Sequence, residues 1–190
     1  MRIRAAVVDD APAMGRVMVD SWLSAHRGQM PDAAWQKRVD EWTPAMSARG
    51  WARTLTDRED GNAARDVLLV AEDDGGGLSG LVSGTAADDD ASGSIAEIGA
   101  LYVLPDRRSQ GIGGSLLREA ASELASLGFS ALQIGVLAAN CPAREFYEAM
   151  GGREIGQRMF DEEGYLLPMT IYGWSDIGAL VGDAGERPGP

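Results

Sequence analysis

The sequence has one cysteine and one histidine in 190 residues, and Lys37 is its only lysine. The lone cysteine, Cys141, cannot form a disulfide within the chain or supply a site of several thiolates, so we predict no metal ligand set. No apolar run approaches the roughly 20 residues of a membrane helix, and the charged opening MRIRAAVVDD is unlike an export signal. We therefore expect a cytoplasmic protein without a membrane partner.

Basic residues are scarce as well. Lys and Arg together number 17 against 29 Asp and Glu, for a formal net charge of −12. A surface of this sign repels phosphate backbones, so nucleic acid is not an expected partner, whereas a cationic substrate is favoured. With 45% apolar residues the chain can bury one core. We expect one domain over residues 1–176 and a flexible tail over 177–190, which ends in GDAGERPGP.

The order of predicted elements indicates an α/β fold. A strand at IRAAVV precedes a helix with Pro12 in its first turn, and a second helix is expected from Pro31 to the region of Met46. Three strands between DVLLV and ALYVLP form a predicted meander, followed by a helix near Leu116, the strand ALQIGVL, a short helix after Asn140 and two final strands. The expected architecture is a mixed, mostly antiparallel sheet of about seven strands flanked by four helices.

The segment RRSQGIGG places three glycines in four positions between a predicted strand and a predicted helix. The first amides of a helix are unpaired and lie at the positive end of its dipole, and glycine lets a ligand come close to them. Such a junction suits an anion, especially a diphosphate, although a tight turn alone is the alternative. The two familiar phosphate loops do not match, because no lysine follows Gly113 and position 116 is Leu116 rather than glycine.

Two motifs carry a resemblance to a known family. LYVLPDRRSQGIGGSLL is similar to the Arg/Gln-x-x-Gly-x-Gly/Ala loop of the GNAT N-acetyltransferases. NCPAREFYEAMGG is similar to the Asn-x-x-Ala-x-x-x-Tyr-Glu-x-x-Gly pattern of the same family, and the two motifs stand in the family's order, separated by a helix and a strand. The resemblance implies the acyl-CoA N-acyltransferase fold, with coenzyme A entering between two splayed central strands.

The resemblance also implies a co-substrate, acetyl-CoA, and a set of residues that bind it. In the family the loop amides cradle the pyrophosphate, and the motif Asn contacts the pantetheine or phosphate arm. The residues implied here are a strand edge, the loop and the motif Asn: Leu101, Tyr102, Val103, Arg108, Ser109, Gln110, Gly111, Ile112, Gly113, Gly114, Ser115 and Asn140.

Two residues are candidates for acid and base catalysis. The resemblance places the Tyr147 hydroxyl beside the thioester sulfur, where it would protonate the departing thiolate; the alternative is a helix tyrosine packed on the core. Glu97 is the only carboxylate in the strand SIAEIGALYV, and an ionisable group there is costly unless it is exposed or used, so it is the candidate base. Some relatives carry a glutamate where this chain has Gly135, which leaves the base open.

The first third of the chain holds His26 and four of the five tryptophans. Family members often bind the acceptor after the first helix, but for His26 a surface or loop position is favoured over such a role. For the tryptophans, core packing is favoured over a lining of an aromatic pocket.

The expected reaction is transfer of the acetyl group of acetyl-CoA to a primary amine, with a small molecule favoured as acceptor. One alternative is a protein that binds acyl-CoA as a sensor or docking module, which would need neither Tyr147 nor a base. Another is acetylation of protein N-termini. A homodimer through the C-terminal strands is a further expectation from the resemblance.

Overall fold

The computed structural model describes residues 1–61, 65–162 and 164–182. These residues form one sheet of seven strands in the order β1-β2-β3-β4-β5-β7-β6. The strands are β1 (Arg2–Ala5), β2 (Val67–Glu72), β3 (Leu78–Ala86), β4 (Ile95–Val103), β5 (Ala131–Leu137), β6 (Arg153–Glu162) and β7 (Tyr165–Trp174). Every neighbouring pair is antiparallel except β4 and β5, which are parallel. The predicted mixed, mostly antiparallel sheet is thus confirmed.

The described ranges contain six α-helices rather than the four expected. They are α1 (Ala11–His26), α2 (Asp32–Glu41), α3 (Pro44–Glu59), α4 (Ile112–Ser126), α5 (Cys141–Ala149) and α6 (Gly178–Gly182). None of these helices is both long and apolar enough to cross a membrane. The single helix expected from Pro31 to Met46 is instead two, because Thr43 caps a new helix: its hydroxyl accepts a hydrogen bond from the Met46 amide, and Pro44 occupies the first turn.

Strands β2 and β3 of the sheet are covered on both faces, whereas the edge strand β6 is exposed at every residue but Glu162. On one face, α4 packs against residues such as Leu69 and Val82, and on the other, α1 and α3 pack against Leu68 and Leu81. Because successive residues of a strand point to opposite faces, a strand covered on both sides is apolar throughout, as VLLVA in β2 is.

The packed domain extends beyond the expected boundary at residue 176. Ile177 and Leu180 are each only 3% exposed and join the core under α4. Apolar side chains buried in this way keep residues 177–182 with the domain. Residues 183–190 lie outside the described residues, so a flexible tail there stays a prediction.

The two central strands diverge, and this divergence positions the site. β4 and β5 pair only from Ile95–Ile98 to Ala131–Ile134. Beyond that point β4 stays with β3 as far as Val103, and β5 stays with β7 as far as Leu137. A wedge therefore opens between the ends of β4 and β5.

Candidate active site

The wedge opens into a cavity of about 810 Å³, within the size range of small-molecule and cofactor sites. Its wall draws on β4, the glycine segment, β5, α5, the end of α1 and the β6–β7 hairpin. Twelve of the fourteen predicted site residues line it: Glu97, Leu101, Tyr102, Val103, Arg108, Ser109, Gly111, Ile112, Gly113, Gly114, Asn140 and Tyr147. The other two, Gln110 and Ser115, are not part of the lining. The Gln110 side chain donates to the Asp106 carbonyl, and the Ser115 amide donates to the Gly111 carbonyl.

The glycine segment leads directly into α4. Gly111 caps the helix with φ 79°, a left-handed conformation that glycine adopts without strain. The amides of Ile112, Gly113 and Gly114 have no carbonyl partner within the helix. The first amide that has one is that of Ser115, which donates to the Gly111 carbonyl. Three unpaired amides at the positive end of a helix form an anion site on the cavity wall.

Arg108 ties this segment to α1. Its guanidinium donates to the Ser21 carbonyl at 3.1 Å and to the Ser24 hydroxyl at 3.4 Å. Arg108 therefore holds the glycine segment against α1 and also lines the cavity.

The edge of β4 presents further main-chain donors. The Leu104 amide donates to the Ser79 carbonyl, so it points toward β3. Because successive amides of a strand point to opposite edges, those of Leu101 and Val103 point toward the wedge. β5 no longer pairs with β4 at this level, so a ligand in the wedge can accept from these two amides.

Asn140 caps α5, and its side-chain oxygen accepts from the Ala143 amide at 3.3 Å. The residue is 8% exposed and faces the cavity. Within the described ranges its side-chain nitrogen has no hydrogen-bond partner. That nitrogen is the group left to contact a ligand.

Tyr147 is buried in α5 and faces the cavity. Phe146, Tyr172 and Trp174 surround its ring, with centroids at 5.2, 5.9 and 6.4 Å. Burial raises the pKa of the Tyr147 hydroxyl well above its ordinary value, so this group is protonated at neutral pH. No hydrogen bond from the hydroxyl to another described residue is formed, and the proton is available for a ligand.

Glu97 is partly buried and fully paired. Its Oε1 accepts from Arg158 Nη2 at 2.6 Å, and its Oε2 from Gln133 Nε2 at 2.9 Å. Its side chain is 20% exposed, which places it between the exposed and buried alternatives. Each oxygen has a second lone pair, so Glu97 can still accept a proton while both donors stay in place.

Gly135 leaves room for that ion pair. A Cβ added there would lie 2.7 Å from Met169 Cε and 3.1 Å from Arg158 Nη2. The space that a side chain at this position would need is thus occupied by groups that pack against β5 and hold Glu97.

A family model for acetyltransferases (GNAT) matches residues 28–152 of this chain, which include the wedge, the glycine segment and α5. The chain belongs to the acetyltransferase (GNAT) family. It is accordingly an acetyl-CoA-dependent N-acetyltransferase. A curated relative, the uncharacterized N-acetyltransferase YuaI of Bacillus subtilis (strain 168), is 27% identical over 183 residues, which cover 94% of this chain and 95% of the relative.

Solved structures share the fold. The phosphinothricin acetyltransferase of Sinorhizobium meliloti in complex with acetyl-CoA superposes with a TM-score of 0.68 at 22% identity, covering 91% of this chain and 86% of that one. The ribosomal-protein-alanine N-acetyltransferase of Brucella melitensis also superposes with a TM-score of 0.68 at 22% identity, covering 92% and 99%. Because two proteins named for different acceptors match equally well, the likeness does not select an acceptor.

His26 of the acetyltransferase is buried, which corrects the expectation of a surface or loop position. It is the last residue of α1, is 8% exposed and lines the cavity. Nδ1 lies 2.9 Å from the Trp22 carbonyl, which can only accept, so Nδ1 carries the proton and Nε2 is the free base in the neutral ring. Burial lowers the pKa of His26, which keeps the ring neutral at pH 7.

The remaining wall comes from α1 and the β6–β7 hairpin. Trp22 lines the cavity and also packs edge-on against Trp42, with centroids 5.5 Å apart, so it serves both of the roles considered for the tryptophans. Phe160 and Glu162 enter from β6. Sequence reasoning missed Glu162, because the run DEEGY looks like a solvated hairpin turn and nothing local marks one of its acids as buried.

The described residues contain no cluster of three His, Cys, Asp or Glu side chains that could hold a metal ion. The groups that line the cavity include main-chain amides, the phenols of Tyr102 and Tyr147, the His26 imidazole, the carboxylates of Glu97 and Glu162, and three arginines. This set can bind an anion, donate a proton and accept one.

Proposed function

We propose that this acetyltransferase transfers the acetyl group of acetyl-CoA to a primary amine of a small molecule. The observation that carries the proposal is a single cavity that runs from the unpaired amides of α4 to an end lined by Trp22, His26 and Phe160. Both the cofactor arm and the acceptor must share about 810 Å³, so the acceptor's part is of small-molecule size.

The cofactor is expected to lie along main-chain donors. The amides of residues 112–114 suit its diphosphate, and the wedge edge of β4 at Leu101 and Val103 suits the amides of the pantetheine arm. The free side-chain nitrogen of Asn140 lies on the opposite wall. This arrangement leads the thioester toward Tyr147.

The protein must then stabilise the oxyanion, protonate the departing thiolate and remove a proton from the amine. As the amine nitrogen forms a bond to the thioester carbon, a β4 amide from Leu101 or Val103 stabilises the oxygen that gains charge. As the carbon–sulfur bond breaks, Tyr147 gives its proton to the thiolate. The amine nitrogen must lose a proton as well, because an alkyl ammonium is almost entirely protonated at pH 7.

Two groups on the wall could accept the proton of the amine. Glu97 remains the proposed base, acting directly or through a water molecule, while Arg158 and Gln133 hold its two oxygens in position. His26 offers an unprotonated Nε2 at the acceptor end and is the second candidate.

A sensor without catalysis would retain the glycine segment and Asn140 but would have no use for a buried, unpaired phenol in the cavity. The Tyr147 hydroxyl therefore favours an enzyme. Acetylation of protein N-termini would place a peptide at the acceptor end, and the enclosing groups Trp22, Phe160 and Glu162 favour a smaller ligand.

The proposal is tested by calorimetric titration with acetyl-CoA, followed by a free-thiol release assay against small amines and against peptides with free N-termini. We expect binding of acetyl-CoA and thiol release with small amines. Binding without release on any acceptor would support the sensor, release with peptides only would support N-terminal acetylation, and absence of binding would overturn the proposal.

A further inference from the structure

Glu162 is a buried carboxylate at the acceptor end of the cavity. It ends β6, its side chain is only 2% exposed, and it forms part of the cavity wall. A carboxylate removed from water in this way is costly unless opposite charge and hydrogen bonds compensate it.

One of the two carboxylate oxygens of Glu162 is paired with Arg38 of α2. Arg38 Nε donates to Glu162 Oε1, while the Arg38 guanidinium lies over the rings of Trp22 and Trp42, 5.6 and 5.4 Å from their centroids. Arg38 itself is not part of the cavity wall, so it holds the carboxylate from behind. Among the hydrogen bonds of the described residues, Glu162 Oε2 accepts none.

Within the described residues, Arg38 is the only basic side chain that bonds to Glu162. The side chains beside it are largely apolar: Met30, Leu137 and Leu167 are buried together, and Trp22 and Met169 pack on them. The charge of Glu162 is felt at His26, which is neutral at pH 7, and at Tyr102, whose pKa burial raises to about 12. The three arginines that line the cavity have other partners: Arg108 donates to Ser21 and Ser24, Arg158 pairs with Glu97, and Arg107 pairs with Asp73 and Asp106.

A ligand that completes this site must bring a cationic donor on an apolar body. We propose that Glu162 Oε2 binds the ammonium of the acceptor, and that the acceptor is a primary amine on an aromatic or aliphatic skeleton. This inference rests on the proposed function. Glu162 is an anchor and not the base: the bound ammonium loses a proton to Glu97 or His26, the two proposed bases, before its nitrogen attacks the thioester.

The alternative role for Glu162 is structural, a link between the hairpin and α2 through Arg38. The two roles differ in what the carboxylate charge does for different substrates. An anchor discriminates between charged and neutral acceptors, whereas a structural link affects all acceptors alike.

The test compares Glu162→Gln with the wild type on 2-phenylethylamine, which is charged at pH 7, and on 4-methylaniline, which is neutral. Glutamine keeps an oxygen for Arg38 but removes the charge. We expect KM for 2-phenylethylamine to rise about 10- to 100-fold with little change in kcat, and KM for 4-methylaniline to stay near the wild-type value. Glu154→Gln is the matched control, since Glu154 is an exposed acid on the same strand, and it should change neither KM.

An unchanged KM for 2-phenylethylamine in Glu162→Gln, or an equal rise for both substrates, would overturn the inference while leaving the proposed function intact. A wild type that binds acetyl-CoA but releases thiol with no amine would overturn both.

A measurement on the wild type alone covers the case in which Glu162→Gln does not fold. In competition with 4-methylaniline, with formation of N-acetyl-4-methylaniline as the readout, the substrate 2-phenylethylamine and its neutral analogue 2-phenylethanol differ only in the ammonium. The anchor predicts that the amine binds at least about tenfold more tightly than the alcohol. Equal inhibition would contradict it.

Discussion

At the proposed cofactor end of the cavity, the candidate binding groups are main-chain amides of residues 101–114 and the side chain of Asn140, and at the proposed acceptor end they are side chains from α1, β4 and the β6–β7 hairpin. The first kind of site depends on the path of the backbone. The second depends on which side chains the fold brings together. A glycine pattern prescribes a backbone path, so the cofactor end can be recognised in a sequence, whereas the acceptor end cannot.

The same contrast separates what relatives share from what they do not. Two solved structures named for different acceptors match this chain equally well, with TM-scores of 0.68 for both. A shared fold therefore does not by itself determine the acceptor, which depends on the groups that line the site.

Tyr147 stands between the two ends, and its removal should have the largest effect. We expect Tyr147→Phe to lower kcat about 100- to 1,000-fold, because the departing thiolate loses its proton donor, while the Kd for acetyl-CoA stays unchanged. Steady-state kinetics and calorimetry check this. Since burial raises the pKa of Tyr147 above 10.0, this group should cause no alkaline loss of activity below pH 10.

Tyr172→Phe is the matched control for that variant. Tyr172 belongs to the same aromatic cluster, but its hydroxyl donates to Glu148 and accepts from Arg144, away from the cavity. It should keep wild-type turnover. If Tyr147→Phe keeps it too, the phenol is only a packing group.

The base that deprotonates the amine is either Glu97 on β4 or His26 at the end of α1. We expect Glu97→Gln to lower kcat about 100-fold and to lose the acid limb of the pH–rate profile, which would place the base on the strand that the sequence identified. His26→Gln should retain that limb.

The opposite result would assign the base to the acceptor end. Burial lowers the pKa of His26 below 6.5, so its basic form is present above that pH and is lost as the pH falls through the lowered value. An acid limb that persists in Glu97→Gln and disappears in His26→Gln would show that the sequence alone had missed the base.

Gly113→Asp tests main-chain recognition with a smaller expected effect. A Cβ at Gly113 would make only ordinary contact with Phe146 Cζ, at 3.5 Å, so the fold should tolerate it. The new carboxylate would repel the diphosphate, and we expect the Kd for acetyl-CoA to rise about 10- to 100-fold in calorimetry. Gly50→Asp, on α3 where an added Cβ meets nothing within 4 Å, should leave the Kd unchanged, and an equal Kd in both variants would contradict a phosphate site at α4.

Several features followed from local patterns. The seven strands, the capped helix after Asn140 and the bare entry to α4 each depend on residues close in sequence. The division into α2 and α3 also had a local signal in Thr43 and Pro44, which the helical spacing of the tryptophans obscured. By contrast, the burial of His26 depends on its contact with Trp22 and on the hairpin more than 130 residues away in sequence.

The amino-acid sequence by itself indicated the sheet, because strands and helices follow from apolar periodicity and turn residues, and it indicated the family through two motifs that resemble those of the GNAT acetyltransferases. Only the tertiary structure decided that Glu97 is paired with Arg158, that His26 is buried with Nδ1 bonded to the Trp22 carbonyl, and that Glu162 lines the cavity with Arg38 as the one described donor to its carboxylate. Burial and charge pairing are properties of neighbours in space, and the neighbours of Glu162 come from α1, α2 and both strands of the hairpin.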